Sequence, residues 1–481
     1  MTKLKLKHWK STGKSAKVMI GNETMELKED RQLFARMAIV ARSRPEMDIA
    51  TDIGKFEFSC VSRSLFAHDG SLLPCTDKGK LMHKLVSSST ETSDENAEDC
   101  SAEIQTRAIV IDAMAVVHGL STIPVKTCGQ FANEFVKKSH TMITGYGEAH
   151  VIFDHYDINK SLKANTRNRR NKGEQERVHV CKDATPIGSS FGKFISNTKT
   201  KHNLTIFLAE KLLDSCRDQT TPVSTSTGTK SNNLDVDHLS TSQEEADTIL
   251  VLHGLDAAKR GLDVDIVSPD TDVFILASSR LPMLEKNPRI ITGIGTKKQK
   301  IQLKPVYNAI GPAIADALPS FHAFTGCDTC GKFHGKGKLT CWNCLLKQPR
   351  RTIDAFATLG RSETISEDIR TALEGFVCSL YRKSGSHATE LAGLRWELFK
   401  TSQAESDKLP PTKAALDQHL LRAAYQSFVW SHLEEAKPIY PPPNEFGWKE
   451  TDELYVPVIT TMEPAPKAVL ELVRCNCKLS Q

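Results

Sequence analysis

The chain has 481 residues, 39% of them apolar and 25% charged, and a formal net charge of +5. This is the make-up of a soluble globular protein with room for about two to four domains, and the charge is too mild to name a partner. Thirteen cysteines in so long a chain argue against a disulfide framework and for a reducing compartment, and no apolar run approaches the roughly 18 residues of a membrane span.

Residues 1–85 open with MTKLKLKHWKSTGKSAK, which is basic and lacks the apolar stretch of a signal peptide. Its lysines would serve nuclear import or nucleic-acid contact, which points to an intracellular protein and to the nucleus before the cytoplasm. The alternative is a solvated basic tail. The rest of 1–85 reads as a small subdomain of strands and turns, and 86–104 as an acidic, Ser/Thr-rich linker. Two Val/Ile-rich runs follow, AIVID ending at Asp112 and HVIFD ending at Asp154. Each has the length and composition of a buried strand. Next comes a basic span with Lys160, Lys163, Arg167, Arg169 and Arg170. Residues 217–243 are Ser/Thr-rich and read as a flexible insertion. STSQEEADTILVLHGLDAAKRG has Glu245 and Asp247 at its start and a helical apolar stripe. A third strand, VDIVSPDTD, ends on Asp270 and Asp272. Asp263 and Asp265 lie at its other end and read as surface residues. Asp328 stands in HAFTGCDTCGKFHGKGK. Residues 346–436 read as helical, and 437–481 as a Pro-rich extended tail.

Strands of a parallel α/β sheet present their ligand site at their carboxyl ends. Three strands that all end in Asp therefore gather acids in one crevice, where carboxylates repel unless something cationic sits among them. Hard divalent cations take oxygen ligands, so the expected cofactor is Mg²⁺ or Mn²⁺. Phosphodiester hydrolysis suits two such ions. The acids expected to hold them are Asp112, Asp154, Glu245, Asp247, Asp270 and Asp272, with Asp328 as a second-ion or water-mediated ligand.

In their order along roughly residues 105–345, IDAMAVVH, IFDHY, EADT, SPDTD and GCDTCGKFHGKGK resemble the five acid motifs of the PIN-like nucleases, in the flap-endonuclease/XPG branch. His155 stands where that family usually has Gly. The resemblance implies a three-layer α/β core with a mostly parallel sheet and helices on both faces. It also implies a metal-dependent nuclease acting on DNA, or on RNA, with a preference for flapped substrates. In the family the basic span arches over the active site, and Lys160, Lys163 and Arg167 match the residues that grip the scissile phosphate. Arg169 and Arg170 would add phosphate contacts. Gly335, Lys336, Gly337 and Lys338 resemble the Gly-rich turn of a helix–two-turn–helix, where glycine lets the backbone approach a phosphate.

Other readings stay open. Ser242 and Glu245 fit a capping box, Asp270 and Asp272 could be turn residues after Pro269, and the basic span could be a solvated helix face. Cys327, Cys330, Cys341 and Cys344 have the spacing of a four-Cys zinc site, although zinc there would pull Asp328 from the acids. The functional alternatives are a catalytically inactive nucleic-acid-binding or scaffold protein and a zinc-dependent interaction protein.

Overall fold

The computed structural model describes residues 16–20, 23–27, 48–89, 104–156, 161–163, 177–188, 190–217, 219–293, 298–402, 408–451 and 454–470. Lys160, Arg167, Arg169 and Arg170 lie outside them, as does most of the acidic segment before residue 104. Near the start, β1 (Ala16–Ile20) and β2 (Glu23–Leu27) form an antiparallel pair. Helices α1 (Ile49–Lys55) and α2 (Lys78–Ser89) follow. The reading of a linker beginning at residue 86 is corrected, because the helical pattern of KGKLMHKLVSSS carries α2 through Ser89.

The three apolar runs form β3 (Arg107–Asp112), β4 (Glu148–Ile152) and β7 (Asp263–Val267). Between β3 and β4 lie α3 (Ala113–Gly119) and α4 (Cys128–Ile143). Between β4 and β7 come α5 (Thr198–Ser215), β5 (Val223–Thr225), β6 (Gly228–Lys230) and α6 (Ala246–Lys259). After β7 the chain forms α7 (Thr271–Ser279), β8 (Arg289–Thr292) and β9 (Gln299–Gln302). The seven strands make one sheet in the order β6-β5-β4-β3-β7-β8-β9. The five inner strands are parallel and each edge strand is antiparallel. Asp112 pairs with Ile152, and Ile111 with both Val151 and Val267. The carboxyl ends of β3, β4 and β7 therefore share one edge.

Side chains alternate across a strand. Ile109, Ile111, Ala149 and Val151 pack with α3, α4 and α5, whereas Ala108, Val110, Val264 and Ile266 pack under α6 and α7. With both faces covered, the strands are mostly apolar, and their polar residues Arg107, Glu148, His150 and Asp265 are themselves buried. The Ser/Thr-rich stretch expected to be a flexible insertion supplies β5 and β6 to the sheet. Backbone bonds from Ala149 to Thr220 and from Val151 to Pro222 tie it to β4.

The longer helices that follow are α8 (Leu303–Ile310), α9 (Pro312–Phe324), α10 (Lys338–Leu345), α11 (Arg350–Thr358), α12 (Glu367–Tyr381), α13 (Leu391–Ser402) and α14 (Lys413–Ser431). Phe321 and Phe324 of α9 meet Phe356 and Phe376 edge to face. Leu81, Met82 and Leu85 of α2 belong to the same apolar cluster. Residues 61–85 and the C-terminal helices thus share the core of the sheet, whereas Ile53 of α1 packs in a separate cluster with Ala465 and Val469. Part of the expected extended tail is a hairpin of β10 (Trp448–Glu450) and β11 (Tyr455–Pro457). Arg422 of α14 fastens its ends through Gly447 O and Val458 O.

Candidate carboxylate site

Asp112 closes β3 and caps α3: its Oδ1 accepts from Ala115 N at 3.0 Å and its Oδ2 from Ser268 Oγ at 3.3 Å. Two residues past β4, Asp154 Oδ1 accepts from Ala246 N at 2.9 Å and Oδ2 from the Tyr156 hydroxyl at 2.9 Å. An acid of one strand thus satisfies an N–H at the start of α6. Glu245 occupies the cap position of α6 without a capping bond from its side chain. The capping-box reading therefore falls, and Glu245 Oε2 meets Lys163 Nζ at 2.9 Å instead. Asp247 lies in the first turn of α6.

The SPDTD acids do not sit on the strand. β7 ends at Val267, and Asp270 caps α7 by accepting from Asp272 N at 2.9 Å. Pro269 has no N–H to extend the ladder, and Asp is a preferred cap. Asp272 sits in the first turn of α7, only 2% exposed. Its Oδ1 accepts from His322 Nε2 at 2.9 Å and its Oδ2 meets Lys78 Nζ at 3.0 Å. Lys78 also holds Asp328 Oδ1 at 2.8 Å. Asp328 is set by the turn at Gly326, whose φ of +115° and contacts with Cys75 and Lys332 leave no room for a side chain.

The acids fall into two electrostatic groups. Burial pushes the Asp112 carboxyl up to about 7, with Asp154 and Asp270 adding repulsion. Burial and Asp270 hold Asp247 well above the usual range, and burial and Asp272 raise Asp270. Burial also lifts Glu245 to about 7 against the pull of Lys163. Asp272 goes the other way. Burial acts to raise it, but Lys78 and His322 outweigh burial and hold it well below the usual range. Lys78 and Lys163 likewise keep Asp328 low. Burial and Lys338 push His322 down to about 4, so its imidazole is neutral and carries its proton on Nε2, facing Asp272.

Asp112, Asp154, Asp247, Asp270 and Asp328 face a cleft of about 700 Å³, with His118, Tyr156 and Lys201 also on its wall. Of the acids singled out in the sequence, Asp112, Asp154, Glu245, Asp247, Asp270 and Asp328 come together on this cleft; sequence reasoning missed Lys78, His322 and Ser268. Lys78 lies before the acid motifs in a stretch with no local signal, and only the packing of α2 brings it in.

The GKGK turn departs from expectation. Lys338 is fully buried, and its ammonium donates to His322 O at 2.6 Å and Thr325 Oγ1 at 2.8 Å. It faces the interior, not a phosphate. The space beside Gly337 is filled by the Asp77 carboxylate, which accepts from Lys338 N. Lys336 lies over the Tyr381 ring at 4.6 Å, and Gly335 is an exposed turn with φ +67°. The four cysteines are not assembled either. Cys327 Sγ contacts Thr329, Cys344 lies by Gln348, and Cys341 is buried in the core. Asp265, expected at the surface, is fully buried and bonded by Arg107, Arg289 and Tyr146.

The mostly parallel sheet, its two helical faces and the acids at one edge make the chain a three-layer α/β protein with a carboxylate cleft at the carboxyl ends of its strands. No family model and no curated protein matches it. Among solved structures it is similar to a bacteriophage T5 flap endonuclease in a pseudo-enzyme–product complex with DNA and metal ions. That match has 9% identity and a TM-score of 0.34, and covers 68% of this chain and 90% of the other. It is similar also to the catalytic core of Rad2 with a DNA substrate, at 10% identity and a TM-score of 0.31 over 68% of this chain and 89% of that one. A T5 5'-exonuclease with bound zinc gives 13%, 0.30, 69% and 100% for the same four quantities. Likeness at this level says nothing of activity or substrate.

Among the described residues no three His, Cys, Asp or Glu side chains stand close enough to hold an ion as placed. The donor chemistry of Asp112, Asp154, Asp247 and Asp270 nevertheless fits a hard divalent cation: buried carboxylates that raise one another's pKa lack positive charge.

Proposed function

We propose that the protein is a divalent-cation-dependent nuclease that hydrolyses phosphodiester bonds of DNA. One observation carries this reading: acids from the ends of β3 and β4 and the starts of α6 and α7 converge on one cleft without enough positive charge to balance them. Asp112, Asp154, Asp247 and Asp270 would hold Mg²⁺ or Mn²⁺. A bound ion of this kind supplies a Lewis acid and a water acidic enough to attack phosphorus at neutral pH. Ser268 and Tyr156 orient Asp112 and Asp154 through their hydroxyls. Lys201 lies on the wall where a phosphate would enter, and Lys163 stands beside Glu245. The two-ion mechanism would further need Asp272 and Asp328, and both already hold Lys78.

The test is cleavage of labelled flap, duplex and single-stranded DNA and RNA with Mn²⁺ or EDTA, comparing wild type with Asp270→Asn. Cleavage that needs both the ion and Asp270 is expected, with DNA preferred. The lysines among the acids favour a second reading, a catalytically inactive nucleic-acid-binding protein. Salt-sensitive binding without turnover on every substrate would select it.

A further inference from the structure

We infer that Lys78 is a built-in cation of the carboxylate site: its ammonium takes the place a second divalent ion would need, so that the cleft binds one metal ion beside a protein-borne positive charge. This rests on the reading above, in which the other acids bind that one ion.

The geometry is specific. Lys78 Nζ lies 3.0 Å from Asp272 Oδ2 and 2.8 Å from Asp328 Oδ1. It bridges two of the seven carboxylates that the sequence reading assigns to metal. An ammonium has three N–H donors and no lone pair, so two of them are spent on this bridge. Both oxygens of Asp272 are engaged, since Oδ1 accepts from the fully buried His322 and Oδ2 from Lys78. A divalent ion seated between Asp272 and Asp328 would have to expel Lys78 or stand against it. Like charges this close repel strongly outside bulk water.

Expulsion is opposed by the fold. Lys78 is the first residue of α2, and Leu81, Met82 and Leu85 on that helix are buried in the central core. α2 packs on α7, α8 and α10, and Lys338 at the start of α10 has its N–H tied to Asp77. The ammonium is therefore delivered by a fixed element, and its side chain is 15% exposed. The other acids differ in kind. Asp112, Asp154 and Asp270 accept hydrogen bonds from neutral groups, namely Ala115 N, Ser268 Oγ, Ala246 N, Tyr156 OH and Asp272 N. Lys163 stands 3.9 Å from Asp247 and is engaged by Glu245 at 2.9 Å. One group of acids is matched by an ammonium, and the other calls for an ion. Lys78 is thus a positioning residue that holds Asp272 and Asp328 in place from one ammonium.

The experiment is to count Mn²⁺ bound per full-length chain by electron paramagnetic resonance of the free ion, for wild type and Lys78→Met. Methionine keeps the apolar stem and removes the charge. The inference expects one ion in wild type and two in the variant. Two ions in wild type, or one in both proteins, would overturn it while leaving the metal-dependent reading in place. No ion in wild type would overturn both. A measurement on wild type alone guards against a variant that does not fold: reductive methylation of lysines, read by mass spectrometry with and without saturating Mn²⁺. Lys78 labelling should be the same in both. Labelling that rises when Mn²⁺ binds would show the ammonium displaced and sink the inference.

Discussion

Asp112 and Asp272 stand in one cluster, yet their carboxyls are driven in opposite directions. Both are buried, and the difference lies in their partners: neutral donors and the aspartates Asp154 and Asp270 for Asp112, an ammonium and an imidazole for Asp272. Asp112 is the sharper probe. Asn can cap α3 as well as Asp, so Asp112→Asn keeps the fold and removes one repelling charge. In EDTA at pH 8 the variant should be more stable than wild type by on the order of 2 kcal/mol, read by urea unfolding. Its Mn²⁺-dependent cleavage should fall by on the order of a hundredfold or more. The pH dependence has a definite sign. Asp112 and Glu245 rise from 3.8 and 4.5 to about 7 in the folded chain. The stability they contribute is whole below the unfolded values and is lost as pH climbs through the folded ones. The gain from Asp112→Asn should therefore shrink at pH 5 and vanish below about pH 4. A gain independent of pH would show that repulsion at Asp112 is not its source.

At the scale of elements, the acids depend on how strands hand over to helices. Asp112, Asp270 and Asp272 each sit where a strand of the sheet gives way to a helix, and α6 has Asp154 from another strand at its first N–H. Motif order revealed that these acids belong together. It did not separate a strand end from a helix cap, because SPDTD fits both and only the ladder ending at Val267 decides. The other end of β7 misled the sequence reading altogether. Its place at the opposite end of the run made Asp265 read as a surface residue, but Arg107 and Arg289 from the two flanking strands close over it with the Tyr146 hydroxyl. Those partners are far apart in sequence, so no local pattern announces them. Asp265→Ala strands two buried guanidiniums and should cost about 3–5 kcal/mol, measured by chemical denaturation. A loss under 1 kcal/mol would mean the arginines find other partners.

At the scale of the molecule, the segments before and after the acid motifs are not appendages. α2 covers α7, α8 and α10 with buried leucines, and the aromatic cluster on α9 is completed by α11 and α12. A fragment of residues 104–345 alone would expose this surface and lose Lys78. It is expected to aggregate or to melt without a cooperative transition, whereas a chain from residue 48 onward should melt as one unit. Light scattering and calorimetry of the two fragments distinguish these outcomes. A cooperative fold for 104–345 would show that the flanking segments are dispensable to the core.

The sequence by itself determined the α/β class, the three buried strands whose carboxyl ends share one edge, and most of the carboxylates that gather there. These follow from short Val/Ile-rich runs and from the residue types that follow them, which are local properties. Only the tertiary structure decided which acids are neutralised and which are left in need of charge. That depends on Lys78, His322 and Lys163, brought in from distant segments by packing. It also turned Lys338 inward and Asp265 into the core, because burial and ion pairing are settled between elements and leave no mark on the residues beside them.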